Sequence, residues 1–528
     1  MKEIRTEQDL VAISAALIGS ATMLSKDEAA LLKRVAKRVV DAQLIASVRA
    51  RIEDGEDPLG DAFSGIRSPE ERRSQGATYT PLSIIQSMVN WAASTSSPAR
   101  IVDPGAGSGR FLLEAGERFK KAKLIGIEMD PLAALMLRAN LAVRGLEKRS
   151  TVIVDDYRQA LLPAVKGQSL FIGNPPYVRH HNIGTAWKDW FGDAAAEFGV
   201  KASKLAGLHI HFFVRTLQLA KDGDVGAFIT SSEWLDVNYG SALRSLLAKE
   251  LGGVGLHILN PKAMPFSDAT TTGAIACFNV GRRPETLKVR EVETLSSLNC
   301  LSAGNEMPWD VVSQSKRWST IIRPSAAVPA GYIELGELCR VHRGQVTGGN
   351  AVWIAGQNVS GMPASVLKAT ITKAKDLLNA GEVLKDASAL RKVIDLPADL
   401  DELDDPEELK AVRRFLKWAK QHGADQSYIA QHRRAWWAVG LKEPAPIICT
   451  YMARRAPAFV RNLCGARHIN IAHGVYPRQA LDDKTLDRLG AWLRENVKVE
   501  SGRTYAGGLT KFEPKEVERI LIPKEQFI

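Results

Sequence analysis

The sequence predicts an α/β fold: a mostly parallel, Rossmann-like sheet with helices on both faces, followed by a mixed α+β domain at the C-terminal end. Three observations carry this. From Gly76 to about Val280, short apolar runs alternate with helical segments, the pattern of βαβ units. A glycine-rich turn, DPGAGSG, follows the first run directly. After about residue 330 the alternation is lost, and helical and strand signals mix.

The first segment, 1–75, reads as a helical region, with Leu10, Ile13, Leu17 and Leu24 near helical spacing. It carries no recognisable chemistry and is expected to pack or to face a partner. Within 76–285, strands are expected at Ile101–Asp103, Leu124–Glu128, Val152–Val154, Leu170–Ile172, Val225–Ile229 and Leu256–Leu259. Helices are expected at Phe111–Phe119, Pro131–Val143 and Leu208–Leu219. Thr270–Val280 is β-rich with no helix before it, which suits an antiparallel last strand. Residues 286–330 lack periodicity and read as a connection. In 331–528, VHRGQVTGGNAVWIA (from Val341) resembles a hairpin or a strand–loop–strand with Gly at the turn. The stretch after Asp395 opens acidic and becomes helical, and IICTYMARRAPAFV (from Ile447) reads as a strand and a basic segment.

With 528 residues the chain has room for two or three domains. Hydrophobic residues make up 45% and charged residues 24%, a globular composition, and no apolar run reaches the ~18 residues of a membrane span. The start, MKEIRTEQDL, lacks the layout of a secretory signal. The five cysteines form no CxxC pair, so no metal site is expected, and scattered thiols suit a reducing cytoplasm. The net charge of +11 favours a polyanionic partner.

The glycine turn is the first chemical signal. Gly105, Gly107 and Gly109 let the backbone turn tightly and approach a ligand. Arg110 stands where a dinucleotide fingerprint needs its third glycine, and no GxxxxGK[ST] phosphate loop occurs. A ligand without a pyrophosphate is favoured, and S-adenosylmethionine is the usual one. Asp103 opens the turn. Glu128 ends the next strand, about 20 positions on, where a carboxylate accepts from ribose hydroxyls. After the third strand, Asp156 is placed to accept from an adenine amino group and Tyr157 to pack on its ring. Acidic groups at successive strand ends make a nucleoside cofactor the expected ligand.

The second signal is Gly173-Asn174-Pro175-Pro176-Tyr177, delivered by the strand Ser169–Ile172. An exocyclic amine is a poor nucleophile because its lone pair is delocalised. Two acceptors aimed at its hydrogens favour the pyramidal form, and the Asn174 side-chain oxygen and the Pro175 carbonyl can supply them. The prolines stiffen the loop, so little ordering remains for the reaction. Tyr177 offers a face to a base. No strong base is needed when the methyl donor is a sulfonium.

The order of these motifs resembles the gamma-class, TaqI-like amino-DNA methyltransferases. GATYTPLSIIQSMV (from Gly76) comes first, then DPGAGSG, then NPPY about 65 positions beyond Gly109, then a long C-terminal region. The resemblance is strong over the first half of 76–528 and loose over the second, where RGQVTGGN, AWWAVGLKEPAP and YAGGLTKFEP look like pieces of a target-recognition domain. It implies an S-adenosylmethionine-dependent methyltransferase domain, no metal, and N6 methylation of an adenine flipped out of duplex DNA. It also implies a prokaryotic cytoplasmic enzyme of a restriction–modification system, acting beside a separate endonuclease. Thr80 and its neighbour Tyr79 would contact the amino-acid end of the cofactor. Phe266 would stack on the flipped base opposite Tyr177.

The same loop chemistry suits a glutamine amide of a protein, or RNA, or cytosine N4, and a non-catalytic DNA-binding subunit is a further alternative. The length of the C-terminal region favours DNA. Arg179, His180 and His181 are candidates for phosphate contact, and His209 and His211 are expected to be core or surface histidines. Arg433, Arg434, Trp436, Trp437, Arg454, Arg455 and Arg461 mix cations with aromatics, which suits a DNA-facing surface. Glu408-Leu409-Lys410 reads as an acidic helix start, not a nuclease site.

Overall fold

A computed structural model describes residues 4–19, 23–67, 80–260, 273–315, 317–322, 328–356, 359, 361–453, 455–499, 503–505 and 509–527. The chain forms two compact units, Met1–Ser325 and Ala326–Ile528. Among the described residues no helix is long and apolar enough to cross a membrane.

The first unit is built on a nine-stranded sheet. Its strands are β1 (Arg100–Pro104), β2 (Lys123–Glu128), β3 (Ser150–Val154), β4 (Ser169–Gly173), β5 (Val225–Ser231), β6 (Gly253–Leu259), β7 (Gly273–Asn279), β8 (Thr286–Val292) and β9 (Asn305–Pro308). They lie in the order β3-β2-β1-β4-β5-β7-β6-β8-β9. β1 to β5 run parallel, and β7 enters antiparallel between β5 and β6. Successive residues on the central strands feed opposite cores. Ile101, Leu170 and Ile172 face one, while Val102 and Phe171 face the other, as a period of two requires. Both faces are therefore apolar, and helices cover both.

On one face lie α5 (Leu82–Thr95), α6 (Arg110–Arg118) and α7 (Pro131–Val143). On the other lie α8 (Thr185–Ala196), α9 (Leu208–Leu219) and α10 (Ser241–Ala248). The strand order reverses between β1 and β4, and that switch point is where open α/β sheets take ligands.

The N-terminal segment forms α1 (Glu7–Ile18), α2 (Lys26–Val35), α3 (Ala42–Glu53) and α4 (Pro58–Ile66). Thr6 and Ser25 start α1 and α2 with reciprocal capping boxes. The apolar face of α1, with Leu10, Ile13 and Leu17, packs on Leu132, Leu135 and Met136 of α7. Arg138 of α7 donates to the fully buried Glu28 of α2 at 2.6 Å. These helices are thus a layer on the sheet domain, with a core of their own packed against α7.

The expected connection 286–330 is corrected in part: β8 and β9 extend the main sheet, β8 pairing with β6 and β9 with β8. β8 buries only Leu287, Val289 and Val292 and β9 is mostly exposed, so neither leaves a strong apolar run.

The second unit holds a five-stranded sheet in the order Cys339–Arg343, Ala472–Pro477, Ile447–Thr450, Phe459–Asn462, Val383–Leu384. The hairpin expected from Val341 does not form. The strand Cys339–Arg343 pairs with Ala472–Pro477, far along the chain, and Asn350–Trp353 is a helical turn. The acidic helix start is present: Asp405 caps Pro406–Gln421, with Glu407 and Glu408 in its first turn.

Candidate functional site

The carboxyl ends of β3, β2, β1 and β4 present the candidate residues side by side around a cavity of about 750 Å³. Gly105 and Gly107 come from the loop after β1, Glu128 from the end of β2, Asp156 and Tyr157 from the loop after β3, and Asn174 and Pro176 from the loop after β4. Thr80, just before α5, completes the wall.

Two glycines fix the loop after β1. Gly109 has φ +97°, a conformation that favours glycine, and a Cβ there would lie 2.3 Å from Leu137 Cδ1, so that side chain would have to shift. Gly105, at φ +76°, brings the loop against the Pro176 ring, whose Cδ would sit 3.4 Å from an added Cβ. The glycine loop and the Asn174 loop are thus in contact.

Glu128 braces this loop from β2. Its carboxylate accepts from the Gly107 N–H at 2.8 Å and from the Asp130 N–H at 2.9 Å. Burial pushes its pKa up, and those two bonds oppose the shift.

Asn174 is half-buried, and its Nδ2 donates to Thr80 Oγ1 at 3.0 Å. That bond fixes the plane of the amide at the cavity wall. Pro175 is buried behind it. Tyr177 does not line the cavity: its hydroxyl is buried with no hydrogen-bond partner among the described residues, and burial pushes its pKa up. Its ring meets His209 edge-on, with centroids 6.2 Å apart.

Tyr157 lies on the cavity floor beside Phe212, ring centroids 5.0 Å apart, and its hydroxyl is bonded to Thr216 Oγ1 at 2.9 Å. The floor is therefore apolar. Asp156 is held by Arg158, whose Nε and Nη2 reach it at 2.9 and 2.5 Å. Arg158 in turn lies 3.8 Å over the Trp187 ring. Neither Arg158 nor Trp187 stood out in the sequence; an Arg two places after Asp156 is a local signal for such a pair.

Asp103 departs from its expected position. Its carboxylate is off the cavity wall, 1% exposed, and packed so close to Gly173 that a Cβ there would lie 2.5 Å from Oδ1. Neither oxygen has a hydrogen-bond partner among the described residues. Burial, with Glu128 nearby, raises its pKa well above the usual carboxylate range. Tyr79 and Phe266 lie outside the described residues.

Part of the wall comes from the N-terminal helices: Val11, Phe63 and Arg67 line the cavity. Arg67 sits 4.4 Å over Phe63, donates to Glu7 at 2.6 Å and pairs with Asp130. This contribution was invisible in the sequence, because those residues precede the glycine loop by dozens of positions.

Other candidates separate. His209 and His211 are buried core histidines, with pKa pushed down to about 4 and about 3 by desolvation. Arg179 is exposed. In the second unit, Arg461 is not a surface cation: it is 3% exposed, bonded to Asp487 at 2.7 Å, Asp483 at 3.0 Å and the Pro446 carbonyl at 2.8 Å. Arg433 is half-buried and donates to the Val346 carbonyl at 2.6 Å. Trp436 and Trp437 pack in the same half-buried cluster. Arg434 and Arg455 are exposed, and Arg454 lies outside the described residues.

Two family models match the chain: the Eco57I restriction-modification methylase over residues 165–252, and the C-terminal domain of the type II methyltransferase M.Eco57I over residues 326–527. The chain is 56% identical to the type II methyltransferase M.XamI of Xanthomonas campestris pv. amaranthicola, over 98% of both chains. It is 20% identical to the type II methyltransferase M.AccI of Acinetobacter calcoaceticus, over 87% of both. A shorter segment, 17% of this chain and 37% of the relative, is 34% identical to a tRNA1(Val) (adenine(37)-N6)-methyltransferase of Porphyromonas gingivalis. With a full-length relative this similar, and with the glycine and Asn-Pro-Pro-Tyr loops meeting at one cavity, the chain belongs to the type II DNA methyltransferases of restriction–modification systems.

Proposed function

We propose that the chain transfers a methyl group from S-adenosylmethionine to the N6 amino group of an adenine flipped out of duplex DNA. The observation that carries this reading is the Asn174–Thr80 hydrogen bond at the wall of the cavity that the glycine loop also forms. With Nδ2 donating to Thr80, the amide oxygen is the acceptor offered to a substrate amine. The Pro175 carbonyl is the second acceptor, and stiff prolines keep both in place.

The residues present fit the cofactor. The apolar floor of Tyr157 and Phe212 suits an adenine ring, Glu128 suits ribose hydroxyls, and the close approach of Gly105 to Pro176 brings the donor side against the acceptor loop. When bound, the cofactor supplies an electrophilic methyl group on a sulfonium. Thr80 holds Asn174, and Asn174 polarises the amine. The base leaves the stack at a cost of a few kcal/mol.

Adenine is favoured over cytosine because the loop begins with Asn, and because a relative that shares a segment of this chain is named for adenine N6. Residues 331–528 act as the target-recognition domain, reading base edges in the major groove, and the net charge of +11 suits duplex DNA. A separate endonuclease would cut the same site when unmethylated.

The test is nucleoside analysis by mass spectrometry after the purified chain acts on duplex DNA with S-adenosylmethionine. N6-methyl-2′-deoxyadenosine is expected. N4-methylcytosine, or transfer to RNA or protein in place of DNA, would overturn the reading.

A further inference from the structure

We infer that Asp57, on the N-terminal helical layer, is a positioning residue for the cofactor's glycine loop. This rests on the S-adenosylmethionine reading of the cavity. Asp57 caps α4 and is 9% exposed. Its Oδ2 accepts from Ser108 Oγ at 2.5 Å and from Arg110 Nε at 2.7 Å. Its Oδ1 accepts from the Gly60 N–H at 3.0 Å and from Asn140 Nδ2 at 3.2 Å. Asn140 also donates to the Ser108 carbonyl at 2.9 Å, so Ser108 is held at both its side chain and its backbone.

Ser108 lies between Gly107 and Gly109. The backbone of Gly107 is what donates to Glu128, so a chain of contacts runs from Asp57 through Ser108 and Gly107 to the carboxylate assigned to the ribose. Arg110, the residue that breaks the dinucleotide pattern, is gripped by Asp57 and, through Nη2, by Asp61 at 2.7 Å. A loop of glycines has many conformations to lose on binding, and an external clamp removes that loss in advance. Gly60 is part of the clamp: an added Cβ would lie 2.1 Å from Asp57 Oδ2 and 2.9 Å from Ser108 Oγ.

The experiment compares the full chain with Asp57→Asn, Ser108→Ala and Gly60→Ala, using titration calorimetry with S-adenosylmethionine, DNA affinity, and hydrogen exchange of the glycine-loop peptide without ligand. Asp57→Asn is expected to weaken cofactor binding about tenfold or more, to speed exchange in the loop, and to leave DNA affinity within about twofold. Ser108→Ala and Gly60→Ala should move the same two readouts in the same direction. Unchanged cofactor affinity and loop exchange in all three variants, while the unmodified chain binds S-adenosylmethionine, would overturn the inference alone. Equal losses of cofactor and DNA affinity with a lowered melting temperature would also overturn it, by making Asp57 structural. No binding by the unmodified chain would overturn the cofactor reading and this inference with it.

Discussion

Asn174 and Thr80 lie 94 positions apart in the chain and share a 3.0 Å hydrogen bond from the Asn174 amide nitrogen to the Thr80 hydroxyl. One residue follows β4, and the other precedes α5. The bond therefore ties the loop after β4 to the start of α5. It also sets which end of the amide is turned to Thr80. Thr80→Val keeps the shape and removes the acceptor. The single-turnover methylation rate is expected to fall about tenfold or more, the scale of one lost hydrogen bond. Equilibrium binding of the cofactor should fall less than the rate. An unchanged rate would show that Asn174 is positioned without Thr80.

Asp103 gives a pH prediction. Its folded-state pKa is raised above the ordinary 3.8, chiefly by burial and then by Glu128. The folded protein therefore holds a proton that the unfolded chain releases. Stability falls as pH rises from about the unfolded value through the folded one, then levels off at the lower value. Asp103→Asn cannot titrate there. The stability of the variant relative to the parent should rise as pH rises from 4 upward, measured by denaturant unfolding at a series of pH values. A constant difference across that range would mean that Asp103 keeps its proton in neither state.

Arg158 gives a third. It neutralises Asp156 at 2.5 Å, and both groups are largely buried. Arg158→Met preserves much of the packing on Trp187 but removes the ion-pair partner of Asp156, which among the described residues keeps only the backbone N–H of residue 158. Removing one partner of a buried pair costs on the order of 3–5 kcal/mol. The variant should melt lower, and calorimetry should show weaker cofactor binding. Normal stability and binding would mean that Asp156 finds another partner.

The sheet was legible because β1, β4 and β5 are buried on both faces and leave continuous apolar runs. The antiparallel β7 was legible for the same reason, since TTTGAIACFNV has no helix before it. β8 was not, because only Leu287, Val289 and Val292 are buried in it and the other residues are partly exposed. The glycine loop, Glu128 and Asn174 were legible as motifs of adjacent residues. Asp57 was not: it touches Ser108 across 51 positions, and nothing local to α4 signals it. Arg461 misled because a cation near aromatics reads as a surface, whereas its partners Asp483 and Asp487 lie on a helix further along the chain. The strand Cys339–Arg343 misled for a like reason, as its partner strand begins at Ala472.

The central claim is that Asn174 directs methylation of an adenine in DNA. The most direct measurement is methylation sequencing of DNA from cells expressing this chain, against cells expressing Asn174→Ala. N6-methyladenine is expected at one short motif in the first and none in the second, with the variant still folded and binding S-adenosylmethionine. The same mark in both strains, or a mark on cytosine alone, would contradict it.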